Sequence, residues 1–573
     1  MIKLCTTLNE GITKICLDNA PKNAKYTPPT IQKVLLTIFA NQVRKKIREE
    51  VGDAKFSILV DEALDESNRE QMAIILRFVD RDGFIRERFF QVVGVDETSA
   101  LTLKNAISKV LTTYNLEIEN IQGQGYDGAS NMRGAWKGLQ ALFLKDCSYA
   151  YYIHCFAHRL QLALVTASKD VHDVWLFFSK LSCIVNLVNA SPKRRLELKS
   201  TREFEVAEMI ASEELKTGKG ANQIRVLQRA GATRWSSHFN YVLRLTEMFD
   251  ATSCVLENMV ENGLNNNIRG EAKGAYKCMK SFEFVFILLM MNKVMGYPDM
   301  LCQALQVKTQ DILNAMRFVS TTKSLLQKFR KDGWDTFIQS VTSFCDKHLI
   351  DISDLSAQYK GGTRRSCQQH DCITVEHYYH FDIFNAVIDF QMVELDDRFP
   401  ERTMELLILS SSLDPSDSFK SFHIDNICNL AEKFYPQDFS GSEIGTLRRQ
   451  LEHYELDVPN SSEFQNISSL SELCRRLFET KRSEHFHLID RLIRLVLTLP
   501  VSTATTERAF SDMKLIKTAL RNKMEDEFLA SCMVIYIERE FSDTIDPDMK
   551  IDEFCDVGPR RVSLKQNSDA LVL

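Results

Sequence analysis

The segment Leu116-Glu-Ile-Glu-Asn-Ile121 runs directly into Gln122-Gly-Gln-Gly-Tyr-Asp127-Gly-Ala-Ser-Asn131. The first part predicts a short strand, and the second, which is rich in glycine, predicts a turn. A helix is expected next, over residues 132–144. A strand, a turn and a helix form one step of an α/β sheet, so we expect Asp127 to follow the carboxyl end of a strand.

Three apolar runs upstream predict three further strands, at Phe56–Asp61, Met72–Val79 and Arg86–Val95. Between the second and third runs, Asp82-Gly83 is a strong hairpin-turn signal, so those two strands should be antiparallel neighbours. Helical spacing over 101–111 predicts a crossover that brings the fourth strand parallel to the first. Tyr151-Tyr-Ile153 predicts a short fifth strand.

This order of strands has a consequence for two acids. Asp61 closes the first strand and Asp127 follows the fourth, so the two carboxylates should converge at one edge of the sheet. Two acids held together repel each other unless a divalent cation lies between them, and ligands that are all oxygen favour Mg²⁺ or Mn²⁺. The alternative is an acid at a strand end and an ordinary Asp-Gly turn.

The glycines of the same loop, Gly123, Gly125 and Gly128, formally match the G-x-G-x-x-G dinucleotide fingerprint. We reject that interpretation because Asp127 would repel a pyrophosphate at the start of the helix. A carboxylate at this position suits a cation.

The composition indicates a helix-rich globular protein with more than one domain. The chain has 573 residues, of which 44% are hydrophobic and 26% charged, and its net charge is −6. This excludes a protein that coats nucleic acid by bulk positive charge, so a DNA contact must come from local basic patches. The 15 cysteines contain no Cys-x-x-Cys pair, and the longest apolar run, Phe284–Met291, is too short to span a bilayer. We therefore expect a soluble intracellular protein with no membrane partner and no small-molecule substrate.

The remaining pattern is almost entirely helical. It predicts a helical lead-in at 1–50, a helical block from Trp235 to about Leu499, and a last helix-forming segment at 505–540. The tail after Asp556 is polar.

Three other groups could carry chemistry. Cys155 and His158 lie one helical turn apart and could be half of a zinc site, or a packed thiol and a hydrogen-bonded imidazole. Arg234-Trp235 joins a cation to an aromatic plane, which could hold a phosphate and a displaced base or could be a buried tryptophan beside a solvated arginine. Glu507 lies near the start of a predicted helix, where it favours the helix dipole but cannot complete a capping box.

Two further features of the sequence allow a structural or a functional interpretation. A Cys/His cluster could bind zinc, although its spacing fits no standard finger. Basic clusters at 44–46, 193–195 and 514–523 could contact phosphates or be solvated faces. The members of the Cys/His cluster are Cys367, His370, Cys372, His377 and His380.

Taken in order, five motifs resemble the hAT superfamily of DNA transposases, in particular the branch of plant proteins described as zinc finger MYM-type 1-like or TTF-type-domain proteins. The resemblance covers about residues 55–540. The motifs are Asp61, Gly-Tyr-Asp127-Gly-Ala-Ser-Asn-Met, His-Cys155-x-x-His158-Arg-Leu-x-Leu, Arg234-Trp235 and Thr-Glu507-Arg-Ala-Phe-Ser.

The resemblance implies an α/β plus α fold: a ribonuclease H-like, mixed five-stranded sheet interrupted by a long helical insertion, with a helical C-terminal dimerisation segment. It divides the chain into a lead-in (1–50), the first part of the catalytic domain (51–240), the insertion (241–475), the remaining catalytic part with the dimerisation region (476–540) and a loose tail (541–573).

The resemblance also implies a mechanism. Asp61, Asp127 and Glu507 match the catalytic acidic triad, which would hold two Mg²⁺ or Mn²⁺ ions for DNA cleavage and strand transfer. Arg234 and Trp235 match the pair that handles a flipped base, and Cys155 and His158 match the Cys-x-x-His pair in a structural or supporting role. The expected partners are DNA and a second copy of the chain, as a homodimer or higher homo-oligomer, and the expected location is the nucleus.

The chain departs from the family pattern at its start, where members usually carry a BED- or TTF-type zinc finger and none precedes Lys55. The alternative function is therefore a domesticated or truncated derivative that has lost catalysis and acts as a dimerising nuclear regulatory protein. A ribonuclease or exonuclease on the same fold fits less well, because such exonucleases place two acids one residue apart on the first strand and here Glu62 follows Asp61 directly.

Overall fold

The computed structural model describes residues 28–213, 227, 235–359, 373–399, 405–546, 553, 554 and 556. The chain forms two compact units. The first comprises Met1–His158, Leu305–Ala315 and Met404–Leu573, and the second comprises Arg159–Ala304 and Met316–Thr403. This division by packing falls at different points from the expected bounds at 240 and 475, and it assigns the helices after residue 404 to the unit that contains the sheet.

The first unit is built on one mixed five-stranded sheet, in the order β3-β2-β1-β4-β5. β1, β2 and β3 form an antiparallel meander, and β4 and β5 run parallel to β1. The expected order of strands and the expected hairpin are confirmed. The strands are β1 (Phe56–Leu64), β2 (Glu70–Val79), β3 (Ile85–Val95), β4 (Ile121–Tyr126) and β5 (Tyr151–His154).

The helices of the described residues are numbered in chain order. They are α1 (Pro29–Val51), α2 (Ala100–Thr113), α3 (Ser130–Arg133), α4 (Leu139–Asp146), α5 (Phe156–Asp170), α6 (His172–Asn189), α7 (Pro192–Ala211), α8 (Trp235–Glu247), α9 (Phe249–Asn262), α10 (Asn266–Met279), α11 (Phe282–Leu305), α12 (Ile312–Asp332), α13 (Trp334–Lys347), α14 (Val375–His377), α15 (Ala386–Arg398), α16 (Glu405–Ser410), α17 (Ile424–Phe434), α18 (Gly441–Asp457), α19 (Leu470–Glu479), α20 (Arg482–His485), α21 (His487–Thr498), α22 (Ala504–Ile516), α23 (Asp526–Ile537) and α24 (Arg539–Thr544).

Two local predictions around the glycine-rich segment were wrong. The fourth strand is not Leu116–Ile121 but the glycine-containing Ile121–Tyr126, and a 3₁₀ turn at Ile118–Asn120 precedes it. The single helix expected over 132–144 is two helices, α3 and α4, separated by a short loop. Glycine is normally unfavourable in strands, and the packing described below explains why it is tolerated here.

Helix α1 is part of the sheet unit and not a separate lead-in. Its side chains Val43, Ile47 and Val51 are buried in the same hydrophobic core as β1, β2 and β3. α23 packs against both α1 and β3, and its residues Leu529 and Met533 enter that core. The helix-forming segment expected over 505–540 contains α22, α23 and the start of α24.

The described residues of the second unit form helices and one isolated β-bridge, between Gln358 and Thr374. Its longest helix, α11, is long and apolar enough to cross a membrane by length and composition, as is the bent pair α6 and α7 taken together. In α11, however, side chains around the helix such as Phe284, Val285, Leu288 and Met291 are buried within the fold. A helix that is apolar on all sides is typical of the centre of a helical domain.

Candidate acidic site at the sheet edge

The register of the sheet brings Asp61 level with Asp127. β1 and β4 pair in parallel with Leu59 opposite Gly125, and continuing that register by two residues places the two acids side by side. Asp127 is held in a turn, since its Oδ1 accepts a hydrogen bond from Ala129 N at 3.0 Å and its carbonyl accepts one from the Tyr152 hydroxyl at 3.1 Å.

Glu507 reaches this edge on α22. The helix begins at Ala504, and Thr503 makes no side-chain cap, so Glu507 occupies the first turn without taking part in a capping box, as the sequence predicted. The hydroxyl of Thr506, one residue before Glu507, lies 3.2 Å from Asp61 Oδ2. The positive end of the helix dipole thus lies beside the acids.

The acids interact electrostatically. Burial, and then the negative charges of Asp127 and Glu507, raise the pKa of Asp61 from 3.8 to about 7, against the hydrogen bonds from Glu62 N and Thr506 that lower it. Burial also raises the pKa of Glu62 to about 7, together with the charges of Glu70, Asp127 and Asp61. Asp61, Asp127 and Glu507 therefore lie in one region of negative charge, and Glu62 adds a fourth carboxylate that the sequence analysis did not include.

The glycines of β4 allow the segment before α22 to reach the sheet. A Cβ on Gly123 would lie 2.7 Å from Pro500 Cδ, and one on Gly125 would lie 2.9 Å from Pro500 Cβ. Contacts this short are sterically excluded, so only glycine permits Pro500 to cross β4. The G-x-G-x-x-G pattern thus serves a close packing contact that positions the helix carrying Glu507.

Cys155 also contacts the segment that precedes α22. Its sulfur is buried and accepts hydrogen bonds from Thr503 N at 3.2 Å and His158 N at 3.4 Å. Burial raises the pKa of this thiol, and Phe156 N donates to Val501 O at 2.9 Å. These contacts give Cys155 a structural role at the start of α22. The His158 ring lies 5.7 Å from that of His154, between centroids.

Two of the predicted groups fall partly outside the described residues. Arg234 lies outside them, and Trp235 begins α8 but its side chain is not described. Cys367, His370 and Cys372 also lie outside, whereas His380 stacks on Trp334 with ring centroids 4.2 Å apart.

The basic clusters are partly structural. Arg44 is buried and donates to Phe90 O at 3.2 Å, and Lys517 is buried in an ion pair with Asp65 at 2.6 Å. These two cations are therefore engaged within the fold and do not face a phosphate backbone.

The donor chemistry of the acidic site suits a divalent cation, because every side-chain donor is a carboxylate or hydroxyl oxygen. Throughout the part of the chain that the structure describes, no three His, Cys, Asp or Glu side chains are gathered tightly enough to enclose a metal ion. The charges of Asp127 and Glu507 raise the pKa of Asp61, so the acids are near enough to interact electrostatically.

Comparison with known proteins gives two family matches on this unit. Residues 1–138 match the family DUF4371, described as the ZMYM1/FAM200, RNase-like domain, and residues 451–541 match the hAT family C-terminal dimerisation region. The fold and the first match define a protein with a ribonuclease-like α/β domain. The second match relates the C-terminal part of the chain to the hAT transposases, and the two matches together support an hAT-related, transposase-derived protein.

Two curated proteins are similar over most of the chain. The human protein named "52 kDa repressor of the inhibitor of the protein kinase" is 21% identical over 557 residues, which cover 95% of this chain and 69% of that protein. The mouse protein of the same name is 20% identical over 545 residues, covering 93% and 68%.

Proposed function

We propose that this protein is a metal-dependent, transposase-type enzyme that cleaves DNA and transfers the cut strand, with Asp61, Asp127 and Glu507 as its catalytic acids. The observation that supports this is the electrostatic coupling at Asp61, whose pKa is raised to about 7 by burial and by the other two acids. The three come from β1, the turn after β4 and the first turn of α22. A fold that brings like charges together from three separate elements is typical of a site that serves chemistry.

The three carboxylates are the residues that would hold Mg²⁺ or Mn²⁺, as two ions in the transposase mechanism. When bound, the ions supply a nucleophile at neutral pH and stabilise the charge on the leaving oxygen of the scissile phosphate. The chain orients the acids. Thr506 lies beside Asp61 Oδ2, Ala129 N holds Asp127, and Cys155 and Pro500 fix the helix that carries Glu507.

The C-terminal match supports self-association, and we propose a homodimer or higher homo-oligomer that acts on DNA in the nucleus. A role for Arg234 and Trp235 at a displaced base stays part of this proposal. So does placement in the plant zinc finger MYM-type 1-like branch.

The test is cleavage and joining of labelled hairpin and nicked duplex DNA by the purified chain in Mn²⁺ and in Mg²⁺. We expect activity that Asp127→Asn abolishes, because a neutral amide cannot replace the carboxylate at a cation. The matched control is Asp53→Asn, which neutralises an exposed acid before the opposite end of β1 and should retain full activity. Equal activity in Asp127→Asn and the unmodified chain would reject the proposed site.

The second candidate is a non-catalytic, dimerising nuclear regulatory protein. Two observations favour it: the relatives are named as a repressor, and the acids of the described residues do not enclose an ion as they stand. The test combines the cleavage assay in Mn²⁺ with analytical ultracentrifugation of the same protein. A folded, self-associated protein that cleaves none of these substrates would support this candidate over the enzyme.

A further inference from the structure

Trp136 lies on the short loop between α3 and α4, a few residues after Asp127. Its side chain is 86% exposed, which makes it the most exposed large aromatic residue in the described part of the chain. Because the ring is open to solvent, it is available to stack on a partner.

The loop that carries Trp136 is closed by hydrogen bonds. Gly138 N donates to Gly134 O at 2.9 Å, and the Gln140 side chain donates to Arg133 O at 2.9 Å. A Cβ on Gly138 would lie 2.3 Å from Gly134 N, so the closed loop requires glycine there. The loop geometry holds the indole outward.

Two cations lie on either side of Trp136 in the sequence. Arg133 and Lys137 are both exposed, and neither forms an ion pair with any residue that the structure describes. The loop also adjoins the acidic site, because Asn131, on the preceding α3, lies close enough to the Glu62 carboxylate to lower its pKa. Trp136 is therefore an exposed aromatic ring with an available cation on either side of it in the sequence, on a loop that follows the acidic site.

We propose that Trp136, Arg133 and Lys137 form a contact for an unpaired nucleotide of the DNA substrate, with the base stacked on the indole and the adjoining phosphates paired with the two cations. An aromatic plane with flanking cations is the combination that binds single strands irrespective of sequence. A protein partner would require further exposed apolar residues around the ring, and its neighbours in the loop are glycine, alanine and the two cations. The inference rests on the proposed function in placing this contact beside a DNA-cleaving site.

The experiment measures binding of the full chain to a fluorescein-labelled single-stranded oligonucleotide and to the matching blunt duplex by fluorescence anisotropy. All variants carry Asp61→Asn, so that the DNA is not cut. We expect Trp136→Ala to weaken single-strand binding about tenfold or more, and Trp136→Phe to retain most of the affinity, since a phenyl ring also stacks. Binding to the blunt duplex should change far less.

The matched control is Trp175→Ala, which removes a tryptophan that is 52% exposed on α6 of the helical unit and should leave the affinity unchanged. Arg133→Gln and Lys137→Gln should each reduce the slope of log K against log salt by about 0.7. Unchanged single-strand affinity in Trp136→Ala would overturn the inference. Because binding is read without cleavage, that result is distinct from failure of the proposed catalysis, which the Asp127→Asn assay tests.

Discussion

Two groups of charged residues in the sheet unit, one partly buried and one fully buried, are organised in opposite ways. At one edge of the sheet, Asp61 and Asp127 bring like charges together with Glu507, and burial with repulsion raises the pKa of Asp61 to about 7. Elsewhere in the same unit, the buried Arg77 is matched by an opposite charge. Arg77 pairs with Glu87 at 2.8 Å, with side-chain exposures of 1% and 5%.

The paired network ties distant parts of the chain to the sheet. Arg77 also donates to Lys308 O at 3.1 Å, Gln310 O at 2.7 Å and Leu497 O at 3.2 Å, and Glu87 accepts a hydrogen bond from Thr505. Because Thr505 lies two residues before Glu507, the network also fixes the helix that enters the acidic site. The Arg77–Glu87 pair thus stabilises the scaffold, and the scaffold positions the unmatched carboxylates at the edge of the sheet.

The largest effect on stability should come from breaking the Arg77–Glu87 pair. Arg77→Met leaves Glu87 buried without its cation and removes three carbonyl contacts, so we expect a loss of about 3–5 kcal/mol in the free energy of unfolding. Urea denaturation followed by circular dichroism measures it. The double variant Arg77→Met/Glu87→Leu should recover much of the loss, since no charge is then left unpaired. If Arg77→Met were as stable as the unmodified chain, the Arg77–Glu87 pair would not stabilise the fold, and the contrast with the acidic site would be wrong.

A smaller loss in the free energy of unfolding, of about 3 kcal/mol, is expected from Lys517→Met, because it leaves Asp65 buried without its cation. Despite burial, the Lys517 ammonium and the Ser67 and Arg69 N–H groups lower the pKa of Asp65. A carboxylate whose pKa is lowered in the folded state stabilises the protein fully at pH values above its ordinary pKa of 3.8. This stabilisation is lost as the pH falls through the lowered pKa. The difference between the variant and the unmodified chain should therefore be full at pH 7 and narrow below pH 4, as urea denaturation across pH would show.

The acidic site should respond with the opposite sign. The raised pKa of Asp61 means that ionising it opposes folding, so this cost is absent near pH 4, grows towards pH 7 and is complete above it. Asp61→Asn should therefore stabilise the metal-free protein at pH 8, by about 2 kcal/mol, and have little effect at pH 4.

Thermal unfolding at the two pH values is the measurement, with Asp53→Asn as the control. Adding Mn²⁺ at pH 8 should raise the Tm of the unmodified chain more than that of Asp61→Asn, because a ligand stabilises only the state that binds it. A variant that is less stable than the unmodified chain at pH 8 would assign Asp61 to the scaffold.

Much of the sheet could be predicted from the sequence, because β1, β2 and β3 are continuous apolar runs and Asp82-Gly83 marks the hairpin between the last two. β4 could not, since Gly123 and Gly125 resemble a turn locally and are explained by Ser57, Leu59 and Pro500, all of which are distant in sequence. The proximity of Asp61 and Asp127 followed from strand order alone. Arg77 and Glu87 gave no signal, because a charged residue in a strand looks solvated until its partners on other elements are known.

The smallest effect should come from an ion pair at the surface of the sheet unit. Lys33 and Glu525 are 2.7 Å apart, as close as Arg77 and Glu87, but their side chains are 45% and 71% exposed. Glu525→Gln removes the charge and leaves Lys33 in place, and we expect the free energy of unfolding to change by less than about 0.5 kcal/mol. Urea denaturation at low and high salt checks this, and any difference should shrink with salt. A loss as large as that of Arg77→Met would mean that the distance between the charges decides how much an ion pair stabilises the fold. A negligible loss would mean that burial decides it. Burial is also the main reason why ionising Asp61 opposes folding.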